Sequence, residues 1–465
     1  MRVLFTIFLF SVLAFGNLIS FNYDNREDIQ ILRELDIESE FIRDLELQSM
    51  YVKYLTQYKD YYIKSFNESG LLIPKLKEIL KNEGIPTSIL YLGMAESNFN
   101  LDAKSTMRAK GLWQFIPDTA KRFGLKNDEY LDERLDIEKS TLAAAKYLKY
   151  LHGIFGKWYL ATIAYNCGEG RLIEGIVRLS IDIYCQENPE FCNSKEYIQY
   201  KDIISKYQQR QVGFSELNKV YNEVKKLDVS FGLADLSIVQ EGISRQYIPY
   251  ESRNHIKKIV SFAIMMNKNN VLEDANAHLL NRGISTPIVP VQVKGGVHLK
   301  NIADVIDVEY DTLISLNKHL KEQIVPIHKK QYKIYIPYES LNSFIQNVDN
   351  IKQVEYQVHY VVAGDNLGKI GKKYGISYKM LKEHNQLTSD ALKINQKLII
   401  PIPKIETTNK VATSKANLTR EYIVKKGDTL GSIAKNNKIP LNKLVSDNKL
   451  GSTVIKEGDK LVIKN

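Results

Sequence analysis

At 465 residues the chain exceeds a single ordinary domain, and its length points to about three. Its 44% hydrophobic and 25% charged residues belong to a folded soluble protein, which excludes both a disordered chain and a polytopic membrane protein. The formal net charge of +10 favours polyanions in general and singles out none of them.

The chain opens with Met1-Arg2, then a nearly unbroken apolar run from Val3 to Phe15, with small residues at a cleavage spacing in Ala14-Phe15-Gly16. This pattern predicts an export signal over residues 1–16, since the run is short for a spanning helix. Export to a periplasm or cell envelope argues against nucleic acid. It leaves the carboxylates of a bacterial wall, or anionic lipid and with it peripheral association with the envelope. Cys167, Cys185 and Cys192 lie far beyond that region, so none can carry a lipid at a mature N-terminus. Cys185 and Cys192 flank a short Asn-Pro loop and either close a disulfide or stay as thiols; the sequence leaves both open. No Cys/His cluster has metal-ligand spacing, and no metal site is expected.

From Asp28 to Lys64, Ile31, Leu35, Phe41, Leu45, Tyr51 and Leu55 recur near helical spacing, predicting one or two amphipathic helices in an N-terminal segment, residues 17–70. A helical domain is predicted over residues 71–282. Its helical pattern runs from Leu71 to about Lys149, punctuated at Gly84-Ile85-Pro86 and Ile116-Pro117-Asp118, then from Trp158 through Leu179, and again from His255 to Met266. The stretch from Ile181 to Gln240 is polar and weakly periodic, and reads as an insertion at about 181–240.

After Pro287 short β-type runs bracket brief helical segments, and an internal repeat emerges. Gly364-Asp365-Asn366-Leu367-Gly368 recurs as Gly427-Asp428-Thr429-Leu430-Gly431. The same offset aligns Ile370 with Ile433, Ile376 with Ile439, Leu381 with Leu444, Asn385 with Asn448, and Lys397-Leu398 with Lys460-Leu461. Each copy reads strand, Gly-Asp turn, helix, loop, helix, strand. Gly364 and Gly427 suit positive φ, and Asp365 and Asp428 are placed to cap the helix that follows. First strands are expected at Tyr360–Val362 and Tyr422–Val424. The copies span residues 356–403 and 421–464, joined by a polar linker at 404–420. A degenerate copy without the Gly-Asp pair precedes them at 288–340, with Leu299, Ile302, Ala303, Leu313 and Asn317 in matching order. This arrangement resembles the LysM module, which implies binding of N-acetylglucosamine-containing glycan beside the first helix. Gly364, Asp365, Gly427 and Asp428 define the modules.

Chemistry must come from the helical domain. Ile89, Leu92, Gly93 and Glu96 stand at i, i+3, i+4 and i+7, so Glu96 shares the apolar stripe of its helix. Partial desolvation there would raise a carboxyl from about 4.3 toward the 6–7 useful to a general acid. Glu96-Ser97-Asn98-Phe99 is followed by Gly111-Leu112-Trp113-Gln114-Phe115-Ile116-Pro117, then by Ala164-Tyr165-Asn166-Cys167-Gly168. In order, these resemble the motifs of the soluble lytic transglycosylase domain, whose fold is similar to goose-type lysozyme. The implied fold class is multidomain α+β: a mainly α-helical lysozyme-like catalytic domain followed by small βααβ LysM modules.

The resemblance implies that Glu96 is the catalytic acid/base, and that Ser97, Gln114, Tyr165 and Asn166 contact substrate; Tyr165 also suits a core aromatic. Pro249-Tyr250-Glu251-Ser252-Arg253-Asn254-His255 resembles the family's closing motif and makes Glu251 a substrate contact, although His255 stands where a tyrosine is usual. Trp113 and Cys167 also depart from the family's smaller or more flexible residues. The implied partner is the peptidoglycan glycan strand, and neither metal nor organic cofactor is implied. Asp102 and Asp118 lie nearby in sequence, but nothing places either across a cleft, and a single acid suits a sugar that supplies its own nucleophile. A hydrolytic muramidase using Glu96 and a non-catalytic wall-binding scaffold are the rival readings.

Overall fold

The computed structural model describes residues 26–267, 287–402 and 420–463, apart from positions 129, 322, 352, 354, 386, 426, 438, 440 and 449 and the stretch 451–454. The expected signal at 1–16, most of the 404–420 linker, and residues 268–282 of the helical domain lie outside the described residues. The chain divides into two compact units, one up to Lys404 and one from Ile405 onward. No described helix is long and apolar enough to cross a membrane.

The first unit opens with helices α1 (Arg26–Glu34), α2 (Leu45–Thr56), α3 (Lys59–Glu68), α4 (Ile73–Asn82) and α5 (Leu90–Ser97). Asp44 caps α2 by accepting from the Leu47 amide at 2.8 Å. Of the stripe read in this region, Ile31, Leu35, Phe41 and Tyr51 are buried, but Leu45 is 81% exposed. It occupies the first turn of α2, before the helix reaches the core.

The helical pattern from Leu71 to Lys149 is interrupted more widely than at its two punctuation points. The described residues of 98–116 and 123–136 form turns, single bridges and one 3-10 turn (Glu133–Leu135) around the short α6 (Pro117–Arg122). The cause is local. Asn98 and Phe99 both take positive φ, 53° and 59°, which ends α5. Asn100 Oδ1 then accepts from the Asp102 amide at 2.8 Å, and Asp128 Oδ1 from the Tyr130 and Leu131 amides at 3.0 and 2.8 Å.

Beyond these turns come α7 (Ile137–Phe155), α8 (Trp158–Cys167), α9 (Glu169–Glu187), α10 (Lys195–Gln208), α11 (Phe214–Val224), α12 (Leu233–Ser237) and α13 (Tyr250–Asn267). The stretch read as an insertion is therefore helical. Leu217, Val220, Tyr221 and Val224 form a buried i, i+3, i+4, i+7 stripe through which α11 packs on α9. Cys185 and Cys192 form a disulfide at its near end, with Cα atoms 5.3 Å apart. At the centre, α13 buries Ile256, Ile259, Val260 and Phe262 against α2, α5 and α8. Lys257, 2% exposed, is tolerated there because Asp44 and Glu46 lie 3.0 and 2.6 Å from its ammonium.

Next, β1 (Ile288–Lys294), α14 (Leu299–Ile306), α15 (Tyr310–Leu316) and β2 (Gln331–Pro337) make a βααβ module whose strands pair antiparallel from Ile288↔Pro337 to Lys294↔Gln331, followed by α16 (Leu341–Asn347). It is docked on the helical domain. Leu131 bridges Leu320, the Asp132 amide donates to His319 O at 3.0 Å, and the Tyr335 hydroxyl donates to Asp136 Oδ1 at 2.7 Å. Ile288, Leu316 and Tyr335 belong to the helical core, while Tyr130 and Leu131 belong to the module's core.

His319 lies wholly inside this junction, its Nε2 3.8 Å from Asp136 Oδ2. Burial pushes its imidazole below the ordinary 6.5, with the Asp136 charge opposing. The unfolded chain therefore binds a proton below about 6.5 that the folded one refuses, so stability is full above that pH and declines below it. His298 shifts in the same direction through burial. We expect the denaturation midpoint to fall between pH 7 and pH 5, and His319→Leu to flatten that slope; parallel slopes for the two proteins would discount the junction as its source.

The two clear repeats have the same βααβ order. The first consists of β3 (Glu355–Tyr360), α17 (Leu367–Tyr374), α18 (Tyr378–His384) and β4 (Lys397–Ile402); the second of β5 (Arg420–Ile423), α19 (Leu430–Asn436), α20 (Leu441–Asp447) and β6 (Lys460–Ile463). The first strands thus end at Tyr360 and Ile423, short of the expected Val362 and Val424. The recurring asparagine has a structural reason. Asn448 Nδ2 donates to the Leu444 and Val462 carbonyls at 2.9 and 2.8 Å while its Oδ1 accepts from the Val462 amide, locking the second helix to the last strand. Asn317 does the same with Leu313 and Tyr335 in the degenerate copy.

Gly364 and Gly427 take φ of 88° and 89°, as the turn requires. The expected helix caps are a correction. Asp365 and Asp428 accept from the amides of Val362 and Lys425, three residues back, at 2.9 and 2.8 Å. The capping is done by Asn366 and Thr429, which accept from Lys369 and Ser432 at 2.8 and 3.1 Å. The aspartates sit one residue too early to reach the helix amides, and they tie the turn instead.

Candidate active site

Helix α5 carries Glu96 in its last turn. Ile89 and Leu92 are fully buried, and Gly93 faces Leu112 so closely that a Cβ there would lie 2.7 Å from its side chain. This contact presses the 111–115 loop onto α5. Ser97 completes the join, its hydroxyl lying 2.8 Å from Leu112 O and 3.0 Å from Gly93 O. Ser97 is thus turned toward backbone carbonyls, and no bond to the Glu96 carboxylate accompanies them.

Glu96 keeps 16% of its side chain exposed. Helix α13 brings His255 to it, with Nε2 3.0 Å from Glu96 Oε1 but off the line of a good hydrogen bond. One turn on, Lys258 donates to Ala95 O at 2.8 Å. Burial lowers the Lys258 pKa against the opposing pull of the Glu96 charge. From the other side α8 presents Tyr165, half-buried, whose hydroxyl donates to Trp113 O at 2.8 Å. Its pKa stands well above the ordinary tyrosine value, through burial first and the Glu96 charge second. It therefore remains a neutral donor.

Gln114 takes a φ of 47°, rare for a residue with a side chain, and its amide nitrogen donates to Gly111 O at 2.8 Å and Ala103 O at 3.3 Å. Trp113 is fully buried, with its indole on Thr141 Oγ1 at 3.0 Å, so the larger residue at this position fills core. Asn166 is exposed and accepts from Ser252 at 2.6 Å, joining α8 to α13.

The structure thus brings together Glu96, Ser97, Gln114 and Tyr165 around one loop, with Asn166 one residue farther along α8. Glu251 is exposed and reaches this group only through its place on α13. Residues 251, 255 and 258 stand at i, i+4 and i+7, one stripe of the helix. That spacing was the signal by which His255 and Lys258 could have been read as site residues. Asp102 pairs with Lys104 at 3.2 Å, and Asp118 sits exposed in the first turn of α6.

Residues 75–178 match the transglycosylase SLT domain, 288–353 the LysM-like domain of lytic transglycosylase MltD, and 359–401 and 422–464 the LysM domain. The chain accordingly carries a transglycosylase SLT domain followed by LysM modules, the make-up of a peptidoglycan lytic transglycosylase. Along most of its length it is similar to the membrane-bound lytic murein transglycosylase D of Escherichia coli K12, at 25% identity over 399 residues, 83% of this chain and 74% of the relative. Shorter likenesses are to the peptidoglycan transglycosylase gp16 of Escherichia phage T7, 47% identical over 79 residues (17% of this chain, 6% of the relative), and to the cell wall-binding protein YocH of Bacillus subtilis 168, 36% identical over 104 residues (22% and 32%).

Proposed function

We propose that Glu96 is the single general acid/base of a non-hydrolytic cleavage of peptidoglycan. Its carboxyl protonates the oxygen linking N-acetylmuramic acid to N-acetylglucosamine. The resulting carboxylate removes the proton from the muramoyl C6 hydroxyl as that oxygen bonds to C1, leaving a 1,6-anhydromuramoyl end and consuming no water. Most glycosidases flank the bond with two carboxylates, one activating water or attacking C1. The observation that carries the proposal is the place of Glu96, nearly buried at the end of α5 with His255 Nε2 of α13 3.0 Å from its carboxyl and Lys258 held on the carbonyl of Ala95 beside it; among the described residues it is the carboxylate whose charge acts on both Tyr165 and Lys258. Tyr165, Lys258 and the loop backbone supply dipoles and positive charge for an oxocarbenium-like transition state. Ser97, Gln114, Asn166 and Glu251 serve as substrate contacts.

Purified sacculi digested with the protein are expected to release fragments ending in anhydromuramic acid. Reducing muramic ends would instead make it a muramidase, and no release would leave a wall-binding scaffold.

His255 is a positioning residue in this scheme, holding Oε1 so that Oε2 faces substrate. His255→Phe should lower kcat about tenfold with KM little changed, while His255→Tyr retains most activity, a loss in the range of one polar contact with a charged group, about 1.4 kcal/mol. Equal losses in the two variants would mean that packing alone matters there.

The LysM modules hold the glycan near the site, and the enzyme works after export, in the periplasm or cell envelope. Removing residues 356–465 should weaken sacculus binding at least tenfold while turnover of soluble fragments stays within about threefold, as expected when tethering raises local concentration. Unchanged sacculus binding would discount the modules as wall binders.

A further inference from the structure

A crevice of about 470 Å³, within the range of ligand sites, opens where three parts of the fold meet. One wall is α3, with Tyr61 and Lys64. The floor is the turn after α5, with Asn98 and Asn100. The far wall is the end of α15 in the docked βααβ module, with Ser315 and Lys318. Ser97, the neighbour of Glu96, also lines it.

The floor is fixed by hydrogen bonds. Asn98 Nδ2 donates to the Tyr61 hydroxyl at 2.9 Å, and the Ser65 hydroxyl donates to Asn98 O at 2.7 Å. These bonds leave Asn98 Oδ1 as an acceptor. Asn100 spends its Oδ1 on the Asp102 amide, leaving its amide protons as donors. The Tyr61 ring is 56% exposed and offers an apolar face. Lys64 meets Glu68 only loosely, at 3.9 Å with both side chains mostly in water, and such a pair holds a lysine weakly. Lys318 makes no ion pair with a described residue.

We propose that this crevice binds the acidic peptide borne by the muramoyl unit of the glycan, so that the βααβ module serves the catalytic domain as one wall of a peptide subsite. The proposal rests on the glycan-cleaving reading above. In strands that carry their peptides the muramoyl carboxyl is tied up as an amide and the sugars are neutral, so the carboxylates that Lys64 and Lys318 would meet, outnumbering the one acid on the lining, Glu68, are those of the peptide. Free amide donors and acceptors on the floor suit a peptide backbone, and the exposed tyrosine ring suits its methyl-bearing side chains.

The test compares the wild-type chain with the Lys64→Glu/Lys318→Glu double variant on two substrates: glycan strands carrying their peptides, and the same strands stripped of them by an amidase, with the muramoyl carboxyl thus freed capped as its methylamide. Reversing two rim charges should raise KM for the peptide-bearing strands about tenfold with kcat nearly unchanged, and leave stripped strands within about twofold. Equal loss on both substrates, or no loss on either, overturns the peptide subsite. Calorimetric titration with a free acidic stem tetrapeptide keeps the two readings apart. Binding by wild type that the double variant loses upholds the crevice even if the products lack anhydro ends, and no binding by wild type overturns it even if they have them.

Discussion

Glu96→Gln is expected to abolish the release of anhydro-ended fragments, lowering kcat by at least about 10³-fold while sacculus binding is retained. Acid/base groups typically contribute 10²–10⁴, and here one carboxyl both donates and removes the proton. Glutamine keeps the shape, and its side-chain oxygen can still face His255 Nε2, 3.0 Å from Oε1 in the wild type. What it lacks is a transferable proton and a negative charge. The fold should be unaffected, because Glu96 is part-exposed and makes no salt bridge to Lys or Arg among the described residues. Solubilisation of sacculi within tenfold of wild type would remove Glu96 from the role given to it.

Gly111→Ala should be nearly as damaging, by a different route. Gly111 has a φ of 80°, and a Cβ there would stand 2.1 Å from the Arg134 carbonyl oxygen. That carbonyl cannot easily withdraw. The Arg134 side chain is 4% exposed and forked onto Asp132 by two bonds of 2.8 Å, with a third, of 3.0 Å, to Arg108 O. The 111–115 loop must move instead, and with it the carbonyls of Leu112 and Trp113 that hold Ser97 and Tyr165. Left-handed strain and forced backbone displacement together should cost about 3 kcal/mol or more. Misplacing the site by an ångström is worth roughly another 10² in rate. Denaturant unfolding reads the first effect, and turnover by the folded fraction reads the second. A variant within about 0.5 kcal/mol and twofold of wild type would show that the loop does not set the site.

The order of elements in the LysM copies was open to sequence reading because a repeat supplies its own alignment: matched Gly-Asp turns, leucines and asparagines fix strand and helix order together. The finer chemistry was not open. Which residue caps a helix depends on where its first amide points, and that shifted the role from Asp365 to Asn366. The catalytic motifs placed Glu96, Ser97, Gln114 and Tyr165 near one another. They did not show that Ser97 spends its hydroxyl on Leu112, since a backbone carbonyl leaves no mark in the sequence. Helix is over-predicted around the second punctuation point, between Asn98 and Asp136, because apolar spacing persists through turns whose buried residues still face the core. It was under-read at Leu217–Val224, where many polar neighbours dilute a sound stripe. The docking of the degenerate copy was invisible for a similar reason: Leu131 and Leu320 meet across nearly two hundred residues.

That docking bears on where the chain can be divided. Leu316 and Tyr335 belong to the core that also houses Trp113 and Tyr159, so the interior of the helical domain is complete only when the chain through residue 335 is present. A chain ending before it would leave the faces of Tyr130 and Leu131 in water and lack the Tyr335 clasp on the start of α7. The module is thus part of the scaffold of the helical domain and not a detachable appendage, and a cut placed between them would open both interiors to water.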